Sequence, residues 1–350
     1  MSSIGKSKRR IAASLIFCAL GALACWGIGR FFDLTISNPT TSSWTAYRRQ
    51  PKGSIELLVI GNSHVYYGYQ PTVAFRERDV YSWALAASTL PPRGCLAFLQ
   101  EALKSQSPKT VAVELYLMTV PPTSGSFPQR MPVGLPRLSA AWDTDKANTL
   151  NAVIPAVGQH ANYERILSPK DALGGSFPEY AGGAVVGSLF SSKPDSTLQK
   201  TWFYRDLSTE EKSCIHMNGE YLAEIVRLCE RNSISPVFWL APMYRAEDSA
   251  DYLAAVQESL NSWGIDSSRY KIIDCNQPDV FEQNDWFDAT PPNSVHNWNS
   301  HVNYSGSKKV TLMLLDRLSL SHSPSSRQTD LEKRWREYIS DWDQRAAAMQ

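Results

Sequence analysis

The 350-residue chain is 43% apolar and 20% charged, an ordinary globular composition long enough for one large domain or two smaller ones. Lys+Arg 35 against Asp+Glu 34 leave a formal charge of +1, so no nucleic acid or other strongly acidic partner is expected through long-range electrostatics. The aromatic share of 11%, with 11 Trp and 15 Tyr, suits a well-packed core and equally a surface that stacks on sugar rings.

The first thirty residues depart from this average. Lys6, Lys8, Arg9 and Arg10 precede an uncharged run from Ile11 to Gly29, closed by Arg30. Nineteen such residues are long enough to cross a bilayer as a helix, and the basic cluster before them predicts a cytoplasmic tip. Residues 1–30 are therefore expected to anchor the chain in the cytoplasmic membrane, with everything after Arg30 on the extracytoplasmic side. Ala22-Leu23-Ala24 offers a competing reading as a signal-peptide cleavage site, and a lipidated Cys25 a third. Residues 31–53 read as a polar tether. Of the six cysteines, Cys95, Cys214, Cys229 and Cys275 lie beyond the anchor, where two disulfides and buried free thiols are both open.

The domain is expected over 54–320. Leu57 to Ile60 is an apolar strand that ends abruptly in Gly61-Asn62-Ser63-His64. Tyr66 to Pro71 reads as loop, Asp79 to Ala84 as a short strand, Arg93 to Ser105 as a helix and Thr110 to Leu117 as a strand. Prolines and glycine pairs break the periodicity between about 119 and 201, which reads as a loop-rich insertion. Regularity returns with a helix from Glu210 to Asn232, strand Pro236 to Pro242, helix Ser249 to Trp263, strand Tyr270 to Asp274 and helix Ser305 to Leu318. Alternating strands and helices predict a parallel, doubly wound α/β sheet. After a Ser-rich linker, residues 328–346 form a helix with Leu331, Trp335, Tyr338 and Trp342 on one face, expected to dock on the domain.

Two stretches carry chemistry. An open α/β sheet keeps its ligands at the carboxyl ends of its strands, where Ser63 would stand. The second stretch, His301-Val302-Asn303-Tyr304-Ser305-Gly306, precedes the last helix of the domain. A histidine there can reach over the sheet edge and accept the proton that makes a serine hydroxyl a usable nucleophile. His64 is expected to pack beside the nucleophile. His296 lies near His301 without a carboxylate at ligand spacing, so no metal and no cofactor are expected.

Together the two stretches resemble the SGNH (GDSL-like) hydrolase superfamily, in the form found in membrane-anchored bacterial members. The resemblance implies a flavodoxin-like three-layer sandwich with Ser63 as nucleophile and His301 as general base. It implies an oxyanion hole that includes the Ser63 N–H and an N–H from the loop after the second strand, here Ala87, with Asn62 and Asn303 also facing the substrate. The family's Asn after the third strand has no counterpart, because Glu114 stands there. The family's Asp three residues before the His is replaced by Trp298, leaving Asp288, or else Asp285, to orient the imidazole. The implied function is an esterase or O-acetyltransferase acting on an acyl ester of a cell-surface or secreted glycan. The competing class is an inactive scaffold or glycan-binding protein that keeps the fold.

Overall fold

The computed structural model describes residues 3–35, 39–124, 127–132, 135–142, 206–242, 249–276, 301–302, 304–320 and 329–349. In chain order the elements are α1 (Ser3–Thr35), α2 (Pro39–Arg48), β1 (Leu57–Gly61), α3 (Ser63–Gly68), α4 (Pro71–Arg78), β2 (Ser82–Ala86), α5 (Pro92–Ala102), β3 (Thr110–Glu114) and a 3-10 turn (Tyr116–Thr119). They continue with α6 (Phe127–Arg130), α7 (Leu135–Trp142), α8 (Thr209–Arg231), β4 (Ser235–Leu240), α9 (Ala250–Ser262), β5 (Lys271–Asp274), α10 (Tyr304–Leu318) and α11 (Thr329–Met349). The backbone divides into two compact units, Met1–Thr41 with Pro128–Pro178, and Ser42–Phe127 with Glu179–Gln350.

The second unit holds a five-stranded sheet in the order β2-β1-β3-β4-β5, with every pairing parallel. This is the doubly wound order of flavodoxin-like sheets, whose switch point lies between β1 and β3. β1, β2 and β3 are buried at every position, which is why they read as continuous apolar runs rather than alternating ones. Leu57, Val59, Ala84, Ala112, Val237 and Trp239 turn to one face and pack against Val65 and Tyr69 of the α3 region, Ala74 of α4, and Val310, Leu314 and Leu315 of α10. Sheet flanked by helices in this way is the arrangement of a three-layer α/β sandwich.

Three expectations are corrected. Residues 66–71 are not a simple loop: α3 and α4 occupy the stretch, because Asn62 caps the first and Pro71 opens the second at a position where a missing N–H costs nothing. Asp79 ends α4 in a left-handed conformation, φ 56, so β2 begins at Ser82 rather than Asp79. The expected tether over 31–53 is likewise folded in its second half. Trp44 and Tyr47 of α2 are buried, with Trp44 edge-on to Phe98 at 5.3 Å and Tyr47 edge-on to Trp83 at 5.7 Å. An aromatic pair at this spacing on a short helix outweighs the polar composition around it.

α11 packs as its stripe predicts. Trp335 is fully buried against Phe75, Tyr81 and Trp83, Tyr338 accepts a hydrogen bond from Gln50 Nε2 at 3.0 Å, and Arg76 pairs with Asp343 at 2.7 Å. Cys95, Cys214, Cys229 and Cys275 are buried free thiols.

In the first unit, α1 is one continuous helix, and the Arg137 guanidinium of α7 donates to the Met131 carbonyl at 2.9 and 3.2 Å. Among the described residues no helix is long and apolar enough to cross a membrane.

Candidate functional site

The site starts from a glycine. A Cβ on Gly61 would stand 2.6 Å from Glu114 Cβ and 2.6 Å from Val65 Cγ2, so only glycine lets the end of β1 lie flush against the end of β3 while α3 turns back over it. Asn62 then caps α3: its Oδ1 accepts from the His64 N–H at 2.8 Å and its Nδ2 donates to Glu114 Oε2 at 2.6 Å. Ser63 is thereby set at the first position of α3, at the carboxyl edge of β1 and beside the switch point. A helix leaves the N–H at this position without an intrahelical partner.

His301 arrives from the far end of the chain. Its Nε2 lies 2.8 Å from Ser63 Oγ, across 238 residues of sequence. Val302 is buried in the core cluster with Val65 and Tyr69, and pulls the histidine down onto α3. Gln70 ties the start of α10 to the same place. Its N–H donates to Thr311 Oγ1 at 2.8 Å, and its Nε2 donates to the Tyr304 carbonyl at 3.3 Å and to Ser307 Oγ. The His301 ring is held among aromatic neighbours, with Tyr67 at 4.7 Å and His64 at 4.8 Å between centroids. Tyr116 closes on the other side of His64 at 4.4 Å.

Burial lowers the His301 imidazole to about 4, so the ring is neutral and able to accept a proton at ordinary pH. His64 is lowered in the same direction, by burial first and by the facing His301 second, which keeps two adjacent rings from both being charged. Glu114 moves the other way. Burial raises its carboxyl to about 8, although the Tyr116 N–H at 2.9 Å, the Ala241 N–H at 3.4 Å and Asn62 all donate to it and pull downward.

The structure therefore brings Ser63 and His301 into hydrogen-bonding contact and places His64 beside them. Two expected positions change role. Ala87 donates its N–H to the Gly61 carbonyl at 3.2 Å, extending the β1–β2 ladder, so that donor is occupied and not turned to a substrate. Asn62 is 2% exposed with both ends of its amide engaged, which makes it a support for Ser63 and not a substrate contact. Asp288, Asp285 and Asn303 lie outside the described residues, as does His296. Among the described residues no three His, Cys, Asp or Glu side chains gather into a group able to hold a metal ion.

Sequence reasoning took Glu114 only as a missing asparagine. A charged residue closing the apolar run Val111-Ala112-Val113, beside the strand that carries the serine, was the available signal for a buried supporting acid. Gln70 gave no signal, since nothing local marks a glutamine whose partners are more than 230 residues away.

The fold and the pair define an α/β protein with a serine–histidine site at the carboxyl edge of its parallel sheet. No family model and no curated protein matches the sequence. Among solved structures the chain is similar to a candidate acylhydrolase from Bacteroides fragilis, at 10% identity and a TM-score of 0.36, covering 78% of this chain and 94% of that one. Likeness of that degree adds nothing to what the site geometry says.

Proposed function

We propose that this chain is a serine acyl-transfer enzyme of the SGNH type, an esterase or O-acetyltransferase. The observation that carries the reading is the 2.8 Å contact between Ser63 Oγ and His301 Nε2 at the switch-point edge of the sheet. Ser63 Oγ attacks the ester carbonyl carbon as its proton passes to His301 Nε2. The tetrahedral oxyanion collapses, the alcohol leaves with the proton from His301, and an acyl-Ser63 remains. Water or a sugar hydroxyl, deprotonated by His301, then takes the acyl group.

The substrate proposed is an O-acetyl ester of a cell-surface or secreted glycan. The partly buried tyrosines 66, 67 and 116 near the pair support it, since such rings stack on sugars. The chain is proposed to be held at the cytoplasmic membrane by the uncharged sequence run from Ile11 to Gly29, with the site on the extracytoplasmic side. In support, Ile11, Leu15, Ile16, Phe17, Leu20 and Leu23 of α1 are 58–78% exposed, which water disfavours and lipid accepts. Resistance of the full chain to alkaline extraction from membranes checks the anchor, and protection from protease added outside the cell would overturn the orientation.

The occupied Ala87 donor favours the second reading, an inactive relative that binds glycan without turning it over. A fluorophosphonate probe decides between them. The active enzyme labels covalently at Ser63 and Ser63→Ala does not, whereas an unlabelled but folded wild-type chain leaves the scaffold. Acetate release against acetyl transfer from acetylated polysaccharide then separates esterase from transferase.

A further inference from the structure

His301 stands three residues before Tyr304, the first residue of α10. Where its ring comes to rest depends on what holds Tyr304, and Tyr304 is held from α4, from α10 itself and from α11. Gln70, the residue before α4, donates from Nε2 to the Tyr304 carbonyl at 3.3 Å. One turn along α10, Lys308 Nζ lies 4.2 Å from the centroid of the Tyr304 ring, a cation over a phenol. From α11 the Trp342 indole comes to 6.5 Å of the same ring between centroids, with the planes tilted by 32°. That lies within the range over which aromatic pairs attract.

Trp342 is itself fixed. It is buried, and Asp343 beside it accepts two hydrogen bonds from Arg76 of α4, at 2.7 and 2.8 Å. One helix, α4, thus grips the start of α10 through Gln70 and the second half of α11 through Arg76. Trp335 stands seven residues earlier, about 10 Å along α11, and is buried against Phe75, Tyr81 and Trp83. α11 therefore meets the domain at two distinct places, with Trp335 over α4 and β2, and Trp342 on the residue that opens α10.

We infer that Trp342 is a positioning residue for the reaction: packed on Tyr304, it holds the segment that carries His301, so the C-terminal helix acts on catalysis and not on stability alone. This rests on Ser63 and His301 being nucleophile and base. Proton transfer between them needs Nε2 and Oγ at hydrogen-bonding distance, and a displacement of about 1 Å can cost about 10²-fold in rate. Without the indole, Tyr304 loses one of its holds and His301 is free to shift. Ser63, fixed through Gly61, Asn62 and Glu114, keeps its place. The two ends of the pair then drift apart in a chain that is still folded.

The test uses the full chain, a fluorophosphonate and an activated acetyl ester. Trp342→Leu is expected to lower kcat and the phosphonylation rate about tenfold, with KM changed by less than about threefold. Trp342→Phe, which leaves a ring on Tyr304, is expected to recover most of the rate. Trp335→Leu is the control: it loses at least as much stability in urea unfolding, yet its phosphonylation rate is expected to change less than about twofold. Should Trp342→Leu not fold, Tyr304→Leu removes the other ring of the pair and is expected to show the same tenfold loss. Where both fold, the double variant is expected to be no slower than the slower single one, because the two rings act as a unit. A folded Trp342→Leu chain labelled as fast as wild type overturns the positioning role while Ser63 remains the nucleophile. Trp335→Leu slowed as much as Trp342→Leu overturns it too, and makes α11 scaffold alone. A wild-type chain that never labels overturns the nucleophile, and Trp342 with it.

Discussion

The two halves of the Ser63–His301 pair are held by different means. Ser63 is fixed by its neighbours: Gly61 admits the close approach of Glu114, Asn62 caps α3, and the Asn62–Glu114 bond at 2.6 Å spans only two adjacent strands. His301 is fixed by groups more than 230 residues away, Gln70 and the rings of Tyr67 and His64, together with the buried Val302 beside it. The nucleophile arm exists once β1 has paired with β3. The base arm exists only after α3, α4 and α10 have closed over that sheet. The serine is thus preorganised by the sheet itself, and the histidine is delivered to it by the rest of the fold.

Removing the base gives the largest effect. His301→Ala is expected to lower kcat/KM for an activated acetyl ester by about 10²–10⁴-fold. Circular dichroism should be unchanged, because the ring adds little to the core. Loss of helical signal instead would make His301 part of the scaffold. On the nucleophile arm, Asn62→Ala removes a helix cap and strips Glu114 of a donor, with an expected loss on the order of 2–3 kcal/mol in urea unfolding. Gln70→Ala acts on the other arm. It frees the start of α10 and is expected to cost about 1–2 kcal/mol, with a larger proportional fall in kcat than in stability, since Ser63 and His301 drift apart while the sheet stands. Equal effects of the two substitutions on activity would remove the distinction between the arms.

How much of this could be read from the sequence follows the same division. Ser63 and its strand are written in contiguous residues, an apolar run ending in Gly-Asn-Ser-His, and the parallel sheet follows from strands that alternate with helices. His301 was legible by its place before the last helix of the domain. The support was not. Asn62 is a turn former by composition, and only the tertiary approach of Glu114 shows that its amide is consumed at both ends. The reading of Ala87 as a donor failed because a backbone N–H at a strand end can serve the ladder or a ligand, and sequence does not say which. α2 was hidden by Ser, Thr and Pro around Trp44 and Tyr47, whose burial depends on aromatic partners far along the chain.

The titrating groups of the two arms carry opposite signs, which gives the finest test. His301, lowered by burial to about 4, should stay neutral and competent well below the ordinary histidine range, so kcat/KM is expected to bend downward only near pH 4. A limb at or above the ordinary value of about 6.5 would mean that a carboxylate faces the ring. In stability, the unfolded chain binds more protons at this histidine between the two values, so its contribution grows as pH rises through about 4 to 6.5 and is lost on acidification. Glu114 acts in reverse. Its folded carboxyl, raised to about 8, holds a proton that the unfolded chain releases near 4.5, so its contribution is fully present at acid pH and is lost as pH rises between those values. Glu114→Gln cannot titrate, and it leaves the histidines in place, so their slope cancels in the comparison with wild type. The melting temperature of wild type minus that of the variant is expected to fall as pH rises from about 4.5 to about 8. A wild-type-minus-variant difference that rises with pH would show that the three donors outweigh burial and that Ser63 is supported by a carboxylate and not by a neutral acid.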